Sequence, residues 1–438
     1  MASSEQLFFK APERPSLSQL KMPTETNIST FDRTSSSSTL SSSYTGTPHV
    51  HNKFDDVLEG LDEITLERFP PYMRKMSHSK LVKTATGVRN LANQIGSSYI
   101  HMQAKAVLIV TKPRDNSLIP VTRELTEWLI TTKGVTVYVD SKLQNSKRFG
   151  ADEMKRRSPI IAQSLNYWTP EITRDKADMF DLVITLGGDG TVLYASGLFQ
   201  KVVPPVLSFS LGSLGFLANY RMEEYKNQLN SVFYDGIKVN LRMRFSCSIH
   251  RANGELICQS QVLNDVVIDR GPNPWLSMLE LYGNDSLLTV VQADGLILST
   301  PTGSTAYSLS AGGALVHPEI PAMCITPICP HTLSFRPMLL PDSMNLKVCI
   351  PDDSRSTAWV SLDGRNRVEL KHGDYLTVQA SQYPFPTVIS STTEFIDSVS
   401  RSFHWNNTKK QKPFSKKNND DDLDDAQNDE ELFDIDFD

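Results

Sequence analysis

The chain has 438 residues, of which 39% are apolar and 8% aromatic, so it is long enough for two or three domains with a sizeable core. Its five cysteines are odd in number and form no CxxC pair, which argues against a disulfide framework or a thiolate zinc site. The formal charge of −6 includes eleven acidic residues between 420 and 438, without which it would be +5, too little to indicate nucleic-acid binding. No apolar run approaches the ~18 residues of a membrane span, so we expect no membrane association. The expected location is the cytoplasm, with the nucleus as an alternative.

The N-terminal region, residues 1–98, is rich in Ser, Thr and Pro, and Ser35–Ser38 is a short homopolymer. Such a composition cannot bury enough apolar surface to fold alone, so we expect a mostly disordered segment with some helix.

Residues 99–235 alternate between strand and helix patterns. Ala106–Val110 and Asp181–Leu186 are continuous apolar runs that predict buried strands, and a helix is expected from Pro120. This alternation predicts an α/β domain with a parallel sheet, whose ligands bind at the carboxyl ends of the strands.

Residues 236–385 have the sequence pattern of an all-β domain, in which short β-branched runs are separated by Gly, Pro, Asn and Asp. Residues 386–408 contain a helical pattern too apolar to stand alone, which predicts a C-terminal helix returning to the first domain. Residues 409–438 form an acidic tail that we expect to be disordered.

The most informative motif is Leu186-Gly187-Gly188-Asp189-Gly190-Thr191, placed directly after a predicted strand. Glycines let backbone N–H groups approach an anion, and the following helix N-terminus favours phosphate. A carboxylate in a phosphate cradle suits the removal of a proton from an attacking hydroxyl, which makes a kinase the leading hypothesis. The alternative is a tight turn in which Asp189 only caps the next helix. No GxxxxGK[ST] sequence is present.

Two further segments of the predicted β domain suggest ligand binding. Asn264-Asp265 could hold ribose hydroxyls or a base edge, although from the local sequence alone a turn or bulge is the simpler reading. Asp294-Gly295 followed by Ser299–Gly313 is dense in glycines and hydroxyl residues, with Tyr307 able to stack on a ring, and the alternative here is a flexible loop.

The histidines and cysteines between 317 and 336 do not have the spacing of a metal site, so we predict no protein-bound metal. Leu211-Gly212-Ser213-Leu214-Gly215-Phe216 follows a predicted strand and is expected to close the ligand cleft or to turn the chain.

Together these motifs resemble the NAD kinase family over about residues 100–405. The shared motifs, in the family's order, are the glycine turn, the Leu211–Phe216 segment, Asn264-Asp265, Asp294 to Tyr307, and Ser334-Phe335-Arg336-Pro337. Ile325–His331 and Ala358–Gly364 look like the eukaryotic, fungal-like, ATP-dependent branch.

The resemblance implies ATP-dependent phosphorylation of the adenosine-ribose 2′-hydroxyl of NAD, or of NADH, to give NADP(H). It implies Asp189 as the catalytic base, a β-sandwich-like second domain, a homo-oligomer, and Mg²⁺ carried by the ATP phosphates. The residues implied to bind phosphates and ATP are Gly187, Gly188, Gly190 and Thr191. Those implied to bind NAD are Asn264, Asp265, Asp294, Ser299, Thr305, Ala306, Tyr307 and Ser310.

Two alternatives belong to other functional classes. Lipid kinases of the diacylglycerol or sphingosine type also use a Gly-Gly-Asp-Gly turn, but they would need an acyl-binding surface. A dinucleotide sensor without chemistry would not need Asp189.

Overall fold

The computed structural model describes residues 82–83, 86–87, 99–101 and 103–404. The predictions for the N-terminal region up to residue 98, apart from residues 82–83 and 86–87, and for residues 405–438 lie outside these described residues. None of the described helices is long and apolar enough to cross a membrane.

The first sheet has nine strands within the described residues and a mainly parallel centre. Its strands are β1 (Tyr99–Ile100), β2 (Ala106–Thr111), β3 (Thr136–Asp140), β4 (Leu165–Trp168), β5 (Leu182–Gly187), β6 (Val206–Ser210), β7 (Tyr220–Arg221), β8 (Ile237–Arg242) and β20 (Phe385–Val388). The spatial order is β1-β8-β20-β6-β5-β2-β3-β4, with β7 beside β6. All six residues of β5 are buried, as expected for a central parallel strand covered on both faces.

Helices cover this sheet and also occur later in the chain. They are α1 (Ile119–Trp128), α2 (Ala151–Arg157), α3 (Pro159–Ser164), α4 (Pro170–Asp175), α5 (Asp189–Leu198), α6 (Tyr225–Tyr234), α7 (Tyr307–Ser310) and α8 (Glu394–Phe403). Pro120 lies in the first turn of α1, where its missing N–H costs nothing. Leu125 in this helix and Leu129 directly after it are fully buried.

The second sheet is antiparallel and has eleven strands within the described residues. They are β9 (Phe245–His250), β10 (Leu256–Val262), β11 (Asp265–Asp269), β12 (Ser277–Gly283), β13 (Ser286–Ser299), β14 (Ala322–Pro330), β15 (Met338–Pro341), β16 (Leu346–Cys349), β17 (Ala358–Leu362), β18 (Arg365–Leu370) and β19 (Tyr375–Ala380). Buried and part-exposed residues alternate along β12, the period-two pattern of a strand with one face on the core.

The structure confirms the predicted fold class, an α/β domain with a parallel sheet joined to an antiparallel β domain. One feature differs from the predicted layout. β8, which lies within the predicted β domain at 236–385, and β20, which crosses the boundary between that domain and the predicted helical segment at 386–408, both belong to the first sheet. β20 pairs with β8 and β6, so the chain returns to the first sheet after building the second. Residues 243–384 are therefore inserted into the α/β domain.

Helix α8 returns to the first domain, as predicted. Its Phe403 ring lies 5.6 Å from that of Phe216, and Val399 is buried. Asn219 donates a 2.6 Å hydrogen bond to Glu394 in the first turn of α8. The helix thus covers the loop that follows β6, on the side of the sheet where the predicted site lies.

Candidate active site

The glycine turn, residues 187–191, connects the carboxyl end of β5 to the start of α5. Gly187 has a φ of +156°, and a Cβ atom there would overlap the Thr191 hydroxyl, so this position requires glycine. A Cβ atom on Gly188 or Gly190 would meet nothing within 4 Å. The space that side chains would fill at these two positions is therefore open to a ligand.

A cavity of about 990 Å³ opens above this turn. Its lining residues are Lys112, Pro113, Arg114, Asp115, Ser117, Leu118, Gly187, Gly188, Gly190, Thr191, Tyr194, Ser210, Leu211, Gly212, Ser213 and Arg365. Three of them are cations and one is an acid. Within the described part of the chain, the buried Thr191 hydroxyl has no hydrogen-bond partner. A net positive cavity with an unpartnered hydroxyl and a helix N-terminus suits a polyphosphate.

The Asp189 carboxylate is half-buried and is held by three consecutive backbone N–H groups. Phe216 donates to Oδ2, and Leu217 and Ala218 both donate to Oδ1, each at 3.0 Å. An ionised carboxylate can accept about four hydrogen bonds. One acceptor position, on Oδ2, is therefore left for a substrate hydroxyl.

The Leu211–Phe216 segment and the two residues that follow it supply the backbone for this arrangement. A Cβ atom on Gly215 would overlap the Asp189 carboxylate, so only glycine lets the loop come this close. Ser210 anchors the loop by donating to the Ser213 carbonyl at 2.8 Å. The sequence predicted that this segment turns the chain or closes the cleft; the structure shows a turn whose N–H groups hold Asp189.

Two buried residues, Ser398 and Arg242, hold this loop from outside. Ser398 of α8 donates to the Gly215 carbonyl at 3.4 Å. The buried Arg242 donates to the Phe216 carbonyl at 3.5 Å and to Thr302 of the second domain at 3.5 Å. Burial lowers the pKa of Arg242, while the nearby carboxylates of Glu394 and Asp189 oppose that shift.

Asp265 begins β11 and Asn264 directly precedes it, and a second half-buried carboxylate, that of Asp363, holds their backbone. Asp363 accepts hydrogen bonds from the backbone N–H groups of Leu263 at 2.9 Å, Asn264 at 2.7 Å and Asp265 at 3.3 Å. The Asn264 side-chain oxygen is buried and has no hydrogen-bond partner among the residues that the structure describes. The backbone bends at residues 263–264 directly before β11.

Asp265 is buried, and its environment changes its ionisation. Burial raises the pKa of Asp265 to about 7, and the neighbouring Asp363 carboxylate adds to the shift. At neutral pH the Asp265 carboxyl therefore carries a proton for much of the time and can donate as well as accept a hydrogen bond.

Tyr307, the first residue of α7, lies near Asp265. Burial raises the pKa of its hydroxyl, and the carboxylates of Asp269, Asp265 and Asp294 are near enough to add to the shift. Its ring is 46% exposed, so it is available for stacking. Asp294 is engaged in a 2.9 Å ion pair with Arg270.

The remaining predicted dinucleotide residues lie beside this group. Ser299 is opposite Asp265 in the β11–β13 register, and its buried hydroxyl donates to the Thr300 carbonyl at 2.8 Å. Thr305 donates to the Thr302 carbonyl at 3.1 Å. Ala306 directly precedes Tyr307 at the start of α7, and the exposed Ser310 is the last residue of this helix.

The two predicted halves of the site are in contact through Leu263 and Arg365. Leu263 belongs to the core cluster that contains Val192 and Ala195 of α5, so Asn264 follows directly after that contact. Arg365, which follows the β17–β18 turn, lines the cavity above the glycine turn. One hairpin therefore contacts both the Asn264–Asp265 segment, through Asp363, and the glycine turn, through Arg365. None of the predicted dinucleotide residues lines the cavity above the glycine turn in the described part of the chain.

Asp363 and Arg365 were not singled out from the sequence. Asp363-Gly364 is a two-residue hairpin signal between β-rich runs, and that signal could have located the turn. Local spacing shows neither the contact of Asp363 with residues 263–265 nor that of Arg365 with Gly190.

Within the part of the chain that the structure describes, no three His, Cys, Asp or Glu side chains form a group able to hold a metal ion. His317 packs edge-on against Phe395 of α8, with the ring centroids 5.0 Å apart.

An anion cavity, a fixed carboxylate and cationic side chains at a glycine turn are the parts of a small-molecule kinase. Residues 107–237 match the family model of the ATP-NAD kinase N-terminal domain, and residues 263–390 match that of the ATP-NAD kinase C-terminal domain. The chain belongs to the ATP-NAD kinase family.

Individual relatives agree with this assignment. An NAD(+) kinase of Saccharomyces cerevisiae is 51% identical over 354 residues, covering 77% of this chain and 67% of that protein. An ATP-NADH kinase of the same yeast is 47% identical over 349 residues, covering 76% of this chain and 70% of that protein.

Solved structures show the same fold. The crystal structure of yeast NADH kinase complexed with NADH is 30% identical and has a TM-score of 0.62, covering 72% of this chain and 91% of that one. An Archaeoglobus fulgidus NAD kinase in complex with ATP shares the fold at 20% identity and a TM-score of 0.50, covering 67% of this chain and 96% of that one. The lipid-kinase and sensor alternatives receive no support from these comparisons.

Proposed function

We propose that this protein transfers the γ-phosphoryl group of ATP to the 2′-hydroxyl of the adenosine ribose of NAD or NADH, giving NADP or NADPH. Membership of the ATP-NAD kinase family supports the substrates, and the relatives named as NAD(+) kinase and ATP-NADH kinase support both forms of the dinucleotide. The observation that carries the proposal is the Asp189 carboxylate, which three N–H groups fix with one acceptor position left, while its chain neighbours Gly188 and Gly190 line a polyphosphate-sized cavity.

Asp189 acts as the general base in this proposal. A ribose hydroxyl holds its proton tightly, so the carboxylate accepts that proton as the bond from the 2′-oxygen to the γ-phosphorus forms. The backbone donors on Asp189 prevent rotation of the carboxylate, and this preorganisation keeps its remaining acceptor position aimed at one place.

ATP binds in the cavity above the glycine turn as its magnesium complex. Gly188 and Gly190 leave room for the phosphates, Gly187 shapes the turn, and the Thr191 hydroxyl gains the partner it lacks. Since Mg²⁺ prefers phosphate and water oxygens, the substrate itself supplies most of its ligands. The ion neutralises part of the triphosphate charge during transfer.

NAD binds along the start of β11 and the adjoining α7 segment. The unpartnered Asn264 amide oxygen and the partly protonated Asp265 carboxyl bind the adenosine ribose and base. Tyr307 stacks on a ring of the dinucleotide, with its neighbours completing the wall. These neighbours are Asp294, Ser299, Thr305, Ala306 and Ser310.

The protein assembles as a homo-oligomer in this proposal. Leu287, Leu288 and Val290 of β13 and Leu339 of β15 are each at least 40% exposed and form an apolar surface on the second domain. Part of this surface lines a pocket of about 350 Å³ that a side chain from a second copy could fill. Analytical ultracentrifugation of the wild type and of Leu288→Asp tests this, with a smaller species expected for the variant.

The purified full chain should be incubated with MgATP and either NAD or NADH, and NADP(H) should be measured by an NADP-specific dehydrogenase. Product with either dinucleotide, and none with a diacylglycerol or sphingoid base in its place, is the expected result. A protein that binds NAD but forms no NADP(H) would instead be a sensor, and phosphorylated lipid would reinstate the lipid-kinase alternative.

A further inference from the structure

The β17–β18 hairpin connects the two halves of the candidate site. Asp363 and Gly364 form its two-residue turn, with φ angles of +48° and +67° that fit a type I′ turn. Asp363 holds the backbone of residues 263–265, while Arg365, two residues on, reaches the glycine turn. The position of Arg365 is therefore fixed by the residues that hold the Asn264–Asp265 segment.

The Arg365 guanidinium is held by a carbonyl and an aromatic ring. It donates to the Gly190 carbonyl at 3.4 Å and lies 5.4 Å from the Tyr194 ring centroid. Among the described residues, no carboxylate forms an ion pair with it. Its charge is therefore available to an anion in the cavity.

The three neighbouring cations are either paired with a carboxylate or have no hydrogen bond to the glycine turn among the described residues. Lys112 pairs with Asp115 at 3.2 Å, and Arg367, on the same strand as Arg365, pairs with Asp269 at 2.7 Å. Arg114 lines the cavity without an ion pair in the described part of the chain, but it has no hydrogen bond to the glycine turn there. Arg365 alone among these four side chains contacts residue 190, directly after the proposed catalytic base.

We propose that Arg365 is a catalytic residue that binds the γ-phosphoryl group of ATP and stabilises the charge that develops during its transfer. This inference rests on the proposed function. The Tyr194 ring covers one face of the planar guanidinium, and the Gly190 carbonyl accepts one of its N–H groups. The other N–H donors are left for phosphoryl oxygens.

In the step itself, the 2′-oxygen of the ribose forms a bond to the γ-phosphorus, and its proton passes to the Asp189 carboxylate. The bond from the γ-phosphorus to the β,γ-bridging oxygen breaks, and its electron pair stays on that oxygen, which leaves as part of ADP. Arg365 remains protonated throughout and donates hydrogen bonds to oxygens on which negative charge accumulates. Removal of one such preorganised donor costs about 10²–10³-fold in kcat.

The test compares Arg365→Ala with Arg365→Lys and with the matched control Arg367→Ala, which removes a cation of the same strand that is already neutralised. For Arg365→Ala we expect a kcat lower by about 100-fold or more. The KM for NAD and the thermal melting temperature should stay near those of the wild type. Arg365→Lys should keep an intermediate kcat, and millimolar guanidinium chloride should restore part of the Arg365→Ala rate but leave Arg367→Ala unchanged.

If the wild type forms NADP(H), three results would overturn the proposal for Arg365 while leaving the proposed function intact. They are a kcat for Arg365→Ala within about threefold of the wild type, an equal loss in Arg367→Ala, and a loss that guanidinium does not restore and that accompanies a lower melting temperature. A wild-type protein that forms no NADP(H) would overturn the proposed function, and this inference with it.

Discussion

The Asp189 carboxylate lies against the backbone of Gly215 so closely that a methyl group on residue 215 would occupy the same space. This contact explains how three successive N–H groups after Gly215 can all reach one side chain. The glycine of the Leu211–Phe216 segment and the aspartate of the glycine turn are thus two parts of one structure.

Gly215→Ala should displace either the loop or the carboxylate. We expect a loss of about 1–3 kcal/mol in the free energy of unfolding, as for other overpacked sites, and a lower kcat. Urea unfolding and steady-state kinetics measure the two effects. Gly197→Ala is the control, because a Cβ atom there meets nothing within 4 Å and alanine favours the helix. Wild-type stability and kcat in Gly215→Ala would show that this contact is not needed.

Asp189→Asn should remove turnover and largely spare dinucleotide binding. General-base catalysis contributes about 10²–10⁴-fold, so kcat should be reduced by a factor in that range. The asparagine amide group would face a backbone N–H, so a modest fall in melting temperature is also expected. Kinetics and calorimetric titration with NAD give the comparison. Near-full kcat would remove Asp189 from the role of base.

Asp363→Ala should disturb the Asn264–Asp265 segment. Three backbone N–H groups would lose their acceptor, and each unsatisfied buried donor costs about 1–3 kcal/mol, less where water enters. We expect clear destabilisation in urea and a KM for NAD raised by about tenfold or more, which is 1.4 kcal/mol of lost binding. The control is Asp353→Ala, which removes an exposed carboxylate. An unchanged KM would show that the backbone of residues 263–265 does not need Asp363.

Asp265→Asn tests the effect of pH on stability. The pKa of Asp265 is raised to about 7 in the folded protein, so the folded state binds this proton more tightly than the unfolded state does. Its contribution to stability is fully present below about pH 4 and is lost as the pH rises through 7.

The variant lacks this titration, so its free energy of unfolding relative to that of the wild type should increase by about 3 kcal/mol between pH 5 and pH 8.5. Urea unfolding of both proteins at the two pH values measures the difference. Asp353→Asn should show no such pH dependence. A difference that stays constant with pH would mean that Asp265 is ionised normally.

Local signals were enough to predict the glycine turn, the buried strand before it and the fold class. β5 and the turn are adjacent in sequence, so the strand pattern also located Asp189 at a strand end. The loop donors to Asp189 could not be found in this way, since they lie 27 to 29 residues further along the chain. The Asp363 contacts span about 100 residues and depend on how the two sheets are placed. The joining of β20 to the first sheet was missed for the same reason, because a four-residue strand gives no sign of its partner.

The return of β20 has a consequence for any attempt to divide the protein. The chain crosses between the sheets twice, and the two crossings run side by side, since β8 pairs with β20, β9 with β19, and Ser381 donates to the Arg244 carbonyl at 2.8 Å. A fragment that ends after the α/β segment at about residue 242 would therefore lack a strand from the middle of its own sheet. No single cut in the polypeptide can therefore separate the two sheets and leave each with all of its strands.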